Sequence, residues 1–308
     1  MKKSNHLMVL EYMERRGMLV DADAKSQLYA MQKGFEGELA FAALFERFAN
    51  QDWLLIYDYW FASGKKKQID FLLLSSAVWF QIEVKNYEGR FEYKTGECWH
   101  NGKLLDENLF SNMEERARRL KKIAAGVSSK IQVRSIAIFI NEFGQTYFDE
   151  TFTGEAINHL QIKDFFWSIR NVQKLPAWLE DKVRLALEEE RGTYAIAFKG
   201  LDPGVFELVR QGVCCDGDES CGGFHAVRHQ QYSFICQKCG KIESLADVIA
   251  RHAVELRYLF YDYPEMVTAG NLYLLMGGAV SKIAIRKHLS AKYDLVRVSN
   301  THYYRINI

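Results

Sequence analysis

The sequence predicts an α/β protein: a mixed sheet flanked by helices, followed by a helical connector, a small cysteine-bearing module and a helix-rich C-terminal part. Three observations carry this expectation. Runs of strand character alternate with helical periodicity between residues 31 and 150. Five of the six cysteines fall between Cys214 and Cys239. The last sixty or so residues read helix, helix, strand, strand.

With 308 residues, 48% hydrophobic and 26% charged, the chain can bury a substantial core and has room for roughly two or three domains. The boundaries expected are a helical extension over 1–30, an α/β domain over 31–150, a helical connector over 151–210, the cysteine module over 211–245 and a C-terminal domain over 246–308. The formal charge of +1, from 40 basic and 39 acidic residues, leaves the choice of partner open. Glu11, Glu14, Arg15 and Arg16 interrupt the apolar run near the start before a secretory core develops. No stretch reaches the ~18 apolar residues a membrane span needs, so a cytoplasmic protein with no membrane partner is expected.

The first helix is expected from Glu36 to Asn50, after Gly34, because Phe41, Leu44, Phe45 and Phe48 recur at three- and four-residue intervals. Strands are expected over Trp53–Tyr59, Ile69–Leu74 and Val78–Val84, with GKKK (64–67) and SSA (75–77) as turns. Leu104–Ala125 then reads as a charged helix and Ser135–Asn141 as a buried strand. Residues 155–200 read as helical, with Pro176 starting a helix.

The polar residues of the second and third strands need an explanation. If SSA is a hairpin turn, Asp70 stands opposite Glu83, and directly opposed residues share a sheet face. Alternation adds Lys85 to that face and sends Val78, Phe80, Ile82 and Val84 to the other. Two carboxylates so close raise one pKa unless a cation lies between them, and hard oxygen ligands suit Mg²⁺ or Mn²⁺. Glu38 lies on the apolar stripe of the first helix, where a buried carboxylate needs a partner. The expected site is thus Glu38, Asp70, Glu83 and Lys85; the bland alternative is a cross-strand salt bridge on a solvated face.

Gly34-x-x-Gly37-Glu38, Gln68-Ile69-Asp70 and Ile82-Glu83-Val84-Lys85-Asn86-Tyr87-x-Gly89 together resemble the nuclease-related domain (NERD) family, a branch of the PD-(D/E)xK nuclease superfamily, over roughly residues 31–145. The resemblance implies a restriction-endonuclease-like core. It also implies that Asp70 and Glu83 bind a divalent metal, that Lys85 activates or orients water, and that Glu38 is the helical acid. The family often continues with an asparagine-proline pair and a glutamine-bearing helix; here the corresponding stretch is ENLFSNMEERARRL.

In the module, Cys214-Cys215-x5-Cys221 and Cys236-x2-Cys239 bracket a strand-like HQQYSFIC, and four thiolates suit tetrahedral Zn²⁺. Either Cys214 or Cys215 could ligate, with His225 and His229 as substitutes. The set favoured is Cys215, Cys221, Cys236 and Cys239, a structural zinc ribbon; Cys98 is expected to pack. Beyond it, SLADVIARHAVELRYLF is a helix, and residues 267–308 resemble a winged helix-turn-helix turning at Gly277-Gly278. Its second helix offers Lys282, Arg286, Lys287 and Lys292, and its wing Arg297, His302, Tyr303 and Arg305, for nucleic-acid contact.

The functions expected are a metal-dependent nuclease acting on nucleic acid, above all DNA, or a non-catalytic DNA- or protein-binding factor on the same scaffold. A third is a zinc-dependent regulator. Cleavage of both DNA strands by a single-site chain would require a homodimer.

Overall fold

The computed structural model describes residues 1–49, 53–62, 68–171, 174–192, 198–216, 221, 223–298 and 301–308. The chain divides into two compact units, one of Gln32–Ala195 with Met1, the other of Lys2–Met31 with Ile196–Ile308.

Helices α1 (Asn5–Arg15) and α2 (Ala22–Phe48) come first. The sequence places the start of the second helix after Gly34, but its 27 residues run straight through Gly34 and Gly37. The preceding ADAKSQLYAMQK is rich in good helix formers, which carry the helix across both glycines.

In the first unit, β1 (Leu54–Trp60), β2 (Gln68–Leu74) and β3 (Val78–Lys85) form an antiparallel meander; the turn expected over 64–67 lies outside the described residues. Next come β4 (Gly89–Lys94), β5 (Glu97–His100) and β6 (Lys103–Leu104), then α3 (Leu109–Val127), β7 (Gln132–Phe139), β8 (Gly144–Phe148), β9 (Glu155–Asn158), α4 (Ile162–Ile169) and α5 (Ala177–Glu189). One sheet has the order β1-β2-β3-β7-β9, and its last three strands are parallel. The other has the order β6-β5-β4-β8. This is a mixed α/β architecture with helices on both faces of the main sheet. Phe41 of α2 and Phe165 and Phe166 of α4 cover the face bearing Phe71, Phe80 and Ile82. Leu120 of α3 and Val183 of α5 cover the face bearing Leu72, Leu74 and Trp79.

Three expectations are corrected here. The helix read from Leu104 begins at Leu109, because Asn108 caps it by accepting the Ser111 N–H at 3.0 Å. The sequence reading passed over β4, β5 and β6, joined by Thr95-Gly96 and Asn101-Gly102 turns in which all four residues have positive φ; such mirror-image turns close two-residue hairpins. Residues 155–158 are a strand beside β7, since EAIN carries half-buried side chains suited to a sheet position rather than a helical stripe.

In the second unit, β10 (Ala226–Gln230), β11 (Ser233–Cys236) and β12 (Ile242–Ser244) form an antiparallel sheet. The strand read over HQQYSFIC is a hairpin that turns at Gln231 and Tyr232, with a register shift between Arg228 and Gln230. Then follow α6 (Leu245–Leu259), α7 (Ala269–Leu275), α8 (Lys282–Lys292) and the hairpin β13 (Asp294–Val298) and β14 (Thr301–Arg305). The core of this unit includes Leu7 and Leu10 of α1, Val248 and Leu256 of α6, Leu272 of α7 and Ile285 of α8. Inside it, the fully buried Arg16 donates to Glu255 from Nε and Nη2, at 2.8 and 2.7 Å.

Candidate functional site

The polar end of the β2–β3 hairpin is set by its turn. Ser75 is buried, and its hydroxyl accepts the Val78 N–H at 3.0 Å. From this turn the pairs run Leu74↔Trp79 through Phe71↔Ile82. One step further along that register, Asp70 stands opposite Glu83. Alternation puts Gln81 and Glu83 on the face turned to α3 and leaves Phe80, Ile82 and Val84 in the core beneath α2.

Glu83 is 6% exposed, and each of its oxygens has its own cation. Lys85 Nζ donates to Oε1 at 2.8 Å, and Arg116 Nη2 donates to Oε2 at 2.7 Å. Arg116 also donates from Nη1 to the Gln68 carbonyl, while the neighbouring Gln81 Nε2 donates to the Met113 carbonyl at 3.2 Å. Asp70 Oδ2 accepts the Val84 N–H at 2.9 Å.

These contacts divide the acids. Burial alone would raise Glu83, but Lys85 and Arg116 outweigh it and hold the carboxyl below its ordinary value. Asp70 is pushed up to about 7, first by burial and then by the charge of Glu83, against Lys85, the Val84 N–H and Arg116. Glu38 is pushed up to about 8 by burial and then by Asp70 and Asp58. Burial would lower Lys85, yet Glu83 and Asp70 hold it well above its usual range. The four residues expected from the sequence therefore feel one another. The three carboxylates do not, however, bring one oxygen each within 4.8 Å as a set.

Gly37 explains how α2 reaches this end of the sheet. A Cβ there would stand 2.7 Å from Asn86 Cβ, so only glycine allows the approach. Asn86 Nδ2 donates to the Lys33 carbonyl at 2.9 Å, and Asn141 Nδ2 donates to Asn86 Oδ1 at 2.9 Å. The Gly37-Glu38 and Lys85-Asn86 segments are thereby tied together, which puts Glu38 within electrostatic reach of Asp70.

The cysteine cluster is tighter. The Sγ atoms of Cys215, Cys221, Cys236 and Cys239 all lie within 4.8 Å of one another, with Cys215–Cys239 at 3.5 Å and Cys221–Cys236 at 3.3 Å. Tetrahedral zinc with ~2.3 Å bonds spaces sulfurs by about 3.8 Å, so the donor set fits Zn²⁺. The Cys239 and Lys238 N–H groups outweigh burial and bring the Cys236 thiol down to about 6, which favours a thiolate ligand. Gly240, at φ +75°, closes the turn. His225 and His229 are exposed and stand outside the sulfur set.

Cys214 points elsewhere. It approaches His252 Nε2 at 3.6 Å and Glu255 Oε2 at 3.9 Å, all three residues being fully buried. Arg251 Nη1 lies 3.4 Å and Arg15 Nη1 3.9 Å from its sulfur, and Arg16 occupies Glu255. Three guanidinium groups make this second cluster hostile to a cation.

In α8, Ile285 and Leu289 are buried while Lys282, Arg286 and Lys287 are exposed. Arg297 of β13 is exposed opposite His302. No helix among the described residues is long and apolar enough to cross a membrane.

Residues 33–140 match the sequence model of a family described as nuclease-related domain; the match contains Glu38, Asp70, Glu83, Lys85 and Arg116. No curated protein and no solved structure matches the chain. Arg116 is the site residue that sequence reasoning missed. Its signal was present: on a helix with Met113, Leu120 and Ala124 buried, position 116 shares the inward stripe.

Proposed function

Starting from the nuclease-related match, we propose that the protein is a divalent-metal-dependent nuclease that hydrolyses phosphodiester bonds, with DNA as the favoured substrate. The observation that supports it is Asp70, half-buried beside Glu83 at the Lys85 end of β3, where desolvation and then the charge of Glu83 raise its pKa. Asp70 and Glu38 are the carboxylates that a hard cation would relieve, so the donor set suits Mg²⁺ or Mn²⁺. Asp70 and Glu83 would hold the ion, which would supply Lewis-acid polarisation of the scissile phosphate and a more acidic attacking water. Lys85 stabilises the charge that develops on the phosphate oxygens. Glu38, ionised once a divalent ion relieves its neighbours, would accept a proton from the water.

In this reading Cys215, Cys221, Cys236 and Cys239 form a structural Zn²⁺ ribbon. The α7–α8 pair and the β13–β14 hairpin act as a winged helix whose Lys282, Arg286, Lys287 and Arg297 contact DNA phosphates. A second reading, a binding factor that keeps the nuclease scaffold, draws on one observation: both oxygens of Glu83 are already taken by side-chain cations.

Nicking of supercoiled plasmid separates the two. Cleavage that requires added Mg²⁺ or Mn²⁺ and is lost in Glu83→Ala and Lys85→Ala, with folded circular dichroism, is expected of the nuclease. DNA binding that survives both substitutions, with no cleavage of duplex, single-stranded or RNA substrates, would replace it by the binding factor.

A further inference from the structure

Resting on the nuclease reading, we propose that Arg116 is a built-in cation that stands in for a second divalent ion, restricting the carboxylate site to a single Mg²⁺ or Mn²⁺ and keeping that ion weakly bound until a phosphodiester enters.

The argument begins with how the guanidinium is held. Arg116 is 7% exposed and bridges two elements, donating to Glu83 on β3 and to the Gln68 carbonyl on β2. Its Nε meets no hydrogen-bond partner among the described residues. Burying an unsatisfied N–H is unfavourable, so this orientation is maintained by the pull of Glu83 and the grip of Gln68. A displaced guanidinium would have to give up both contacts.

Charge then limits what else can enter. Glu38, Asp70 and Glu83 against Lys85 and Arg116 leave one negative charge when all three acids are ionised. The exposed Asp58 adds its charge to that felt by Glu38. One divalent ion turns the balance to one positive charge, which one phosphodiester anion neutralises. A second ion would leave two positive charges uncompensated in a half-buried site, where such an excess is unfavourable. In two-metal nucleases a pair of ions clamps the attacking and leaving oxygens; here the second positive charge comes covalently attached to α3.

Mn²⁺ binding followed by electron paramagnetic resonance tests this on the full-length, zinc-loaded chain. The proteins compared are wild type, Arg116→Gln, Arg116→Lys and Asp70→Asn, each checked by circular dichroism. Wild type is expected to take one Mn²⁺ per chain weakly, and more tightly with a non-hydrolysable phosphorothioate duplex. Arg116→Gln should bind Mn²⁺ about tenfold more tightly without DNA, or take a second ion, because one repelling charge is gone. Arg116→Lys, which keeps the charge, should behave as wild type, and Asp70→Asn should lose the binding.

Arg116→Gln binding no tighter than wild type and with the same stoichiometry, or not at all, overturns the role of Arg116. If Asp70→Asn still abolishes binding in that case, the metal site itself stands. Undiminished binding by Asp70→Asn instead sinks the metal site, and this inference with it. Should Arg116→Gln fail to fold, wild type decides: two Mn²⁺ ions per chain sensitive to Asp70→Asn refute the proposal.

Discussion

The cysteine cluster and the carboxylate cluster both gather ionisable groups, but they balance charge differently. Cys215, Cys221, Cys236 and Cys239 bring four sulfurs within 4.8 Å of one another, with no ammonium or guanidinium among the ligands. Glu38, Asp70 and Glu83 are interleaved with Lys85 and Arg116 and do not converge as closely. The first arrangement is compatible with a bound zinc ion. The second is largely neutralised by its own side chains, so it can persist folded while empty. In the proposed reading, the first would keep a structural ion permanently and the second would let a catalytic ion exchange.

The largest expected effect tests the sulfur side. Cys236→Ser should abolish stoichiometric zinc, measured by elemental analysis, and destabilise the module by several kcal/mol. Cys214→Ser should keep the zinc. Zinc retained by the first variant and lost by the second would exchange the roles assigned to these cysteines.

Next comes the approach of α2. Gly37→Ala should cost about 1–3 kcal/mol, because a methyl 2.7 Å from Asn86 Cβ overpacks the contact. Gly34→Ala, with open space at the same helix surface, should stabilise by about 0.5–1 kcal/mol. Equal signs in denaturant melts would remove the argument that Gly37 places Glu38.

The pH response is smaller. Asp70 at about 7 and Glu38 at about 8 are raised above ordinary carboxylates, so the folded chain holds protons that the unfolded chain releases. Their contribution to stability is full below about pH 4 and is lost as the pH climbs through about 8. Without divalent ion, the melting temperature should fall by several degrees between about pH 6 and about pH 8.5. Mg²⁺ or the Asp70→Asn substitution should flatten that fall. A decline unchanged by either would assign it to other groups.

The smallest change is expected in α8. Lys287→Ala should weaken DNA binding severalfold and lower the slope of log affinity against log salt by about 1. An unchanged slope would remove Lys287 from the DNA contact surface.

Much of this was legible in the sequence, for identifiable reasons. The β2–β3 register follows from a short polar turn between two apolar runs, and a period of two then assigns every face. The sequence left Cys214 and Cys215 as alternatives, and the fold separates them by turning Cys214 to His252 and Glu255 and Cys215 to the other sulfurs. The three short strands after β3 were missed although Asn101-Gly102 announces a hairpin, because two- to six-residue strands carry too little periodicity. Arg116 was missed because ERARRLKK reads as a solvated helical face. The spacing of Met113, Leu120 and Ala124 puts position 116 on the inward stripe, and the packing of α3 on β3 turns its guanidinium to Glu83.

The Ser75–Ala77 turn acts as a ruler. Its length sets the parity of everything downstream on β3. A single inserted residue would rotate Glu83 and Lys85 away from α3 and present Ile82 and Val84 to Arg116 instead. Chains related to this one should therefore accept length changes in many surface loops but not in this turn, except where a second change restores the count.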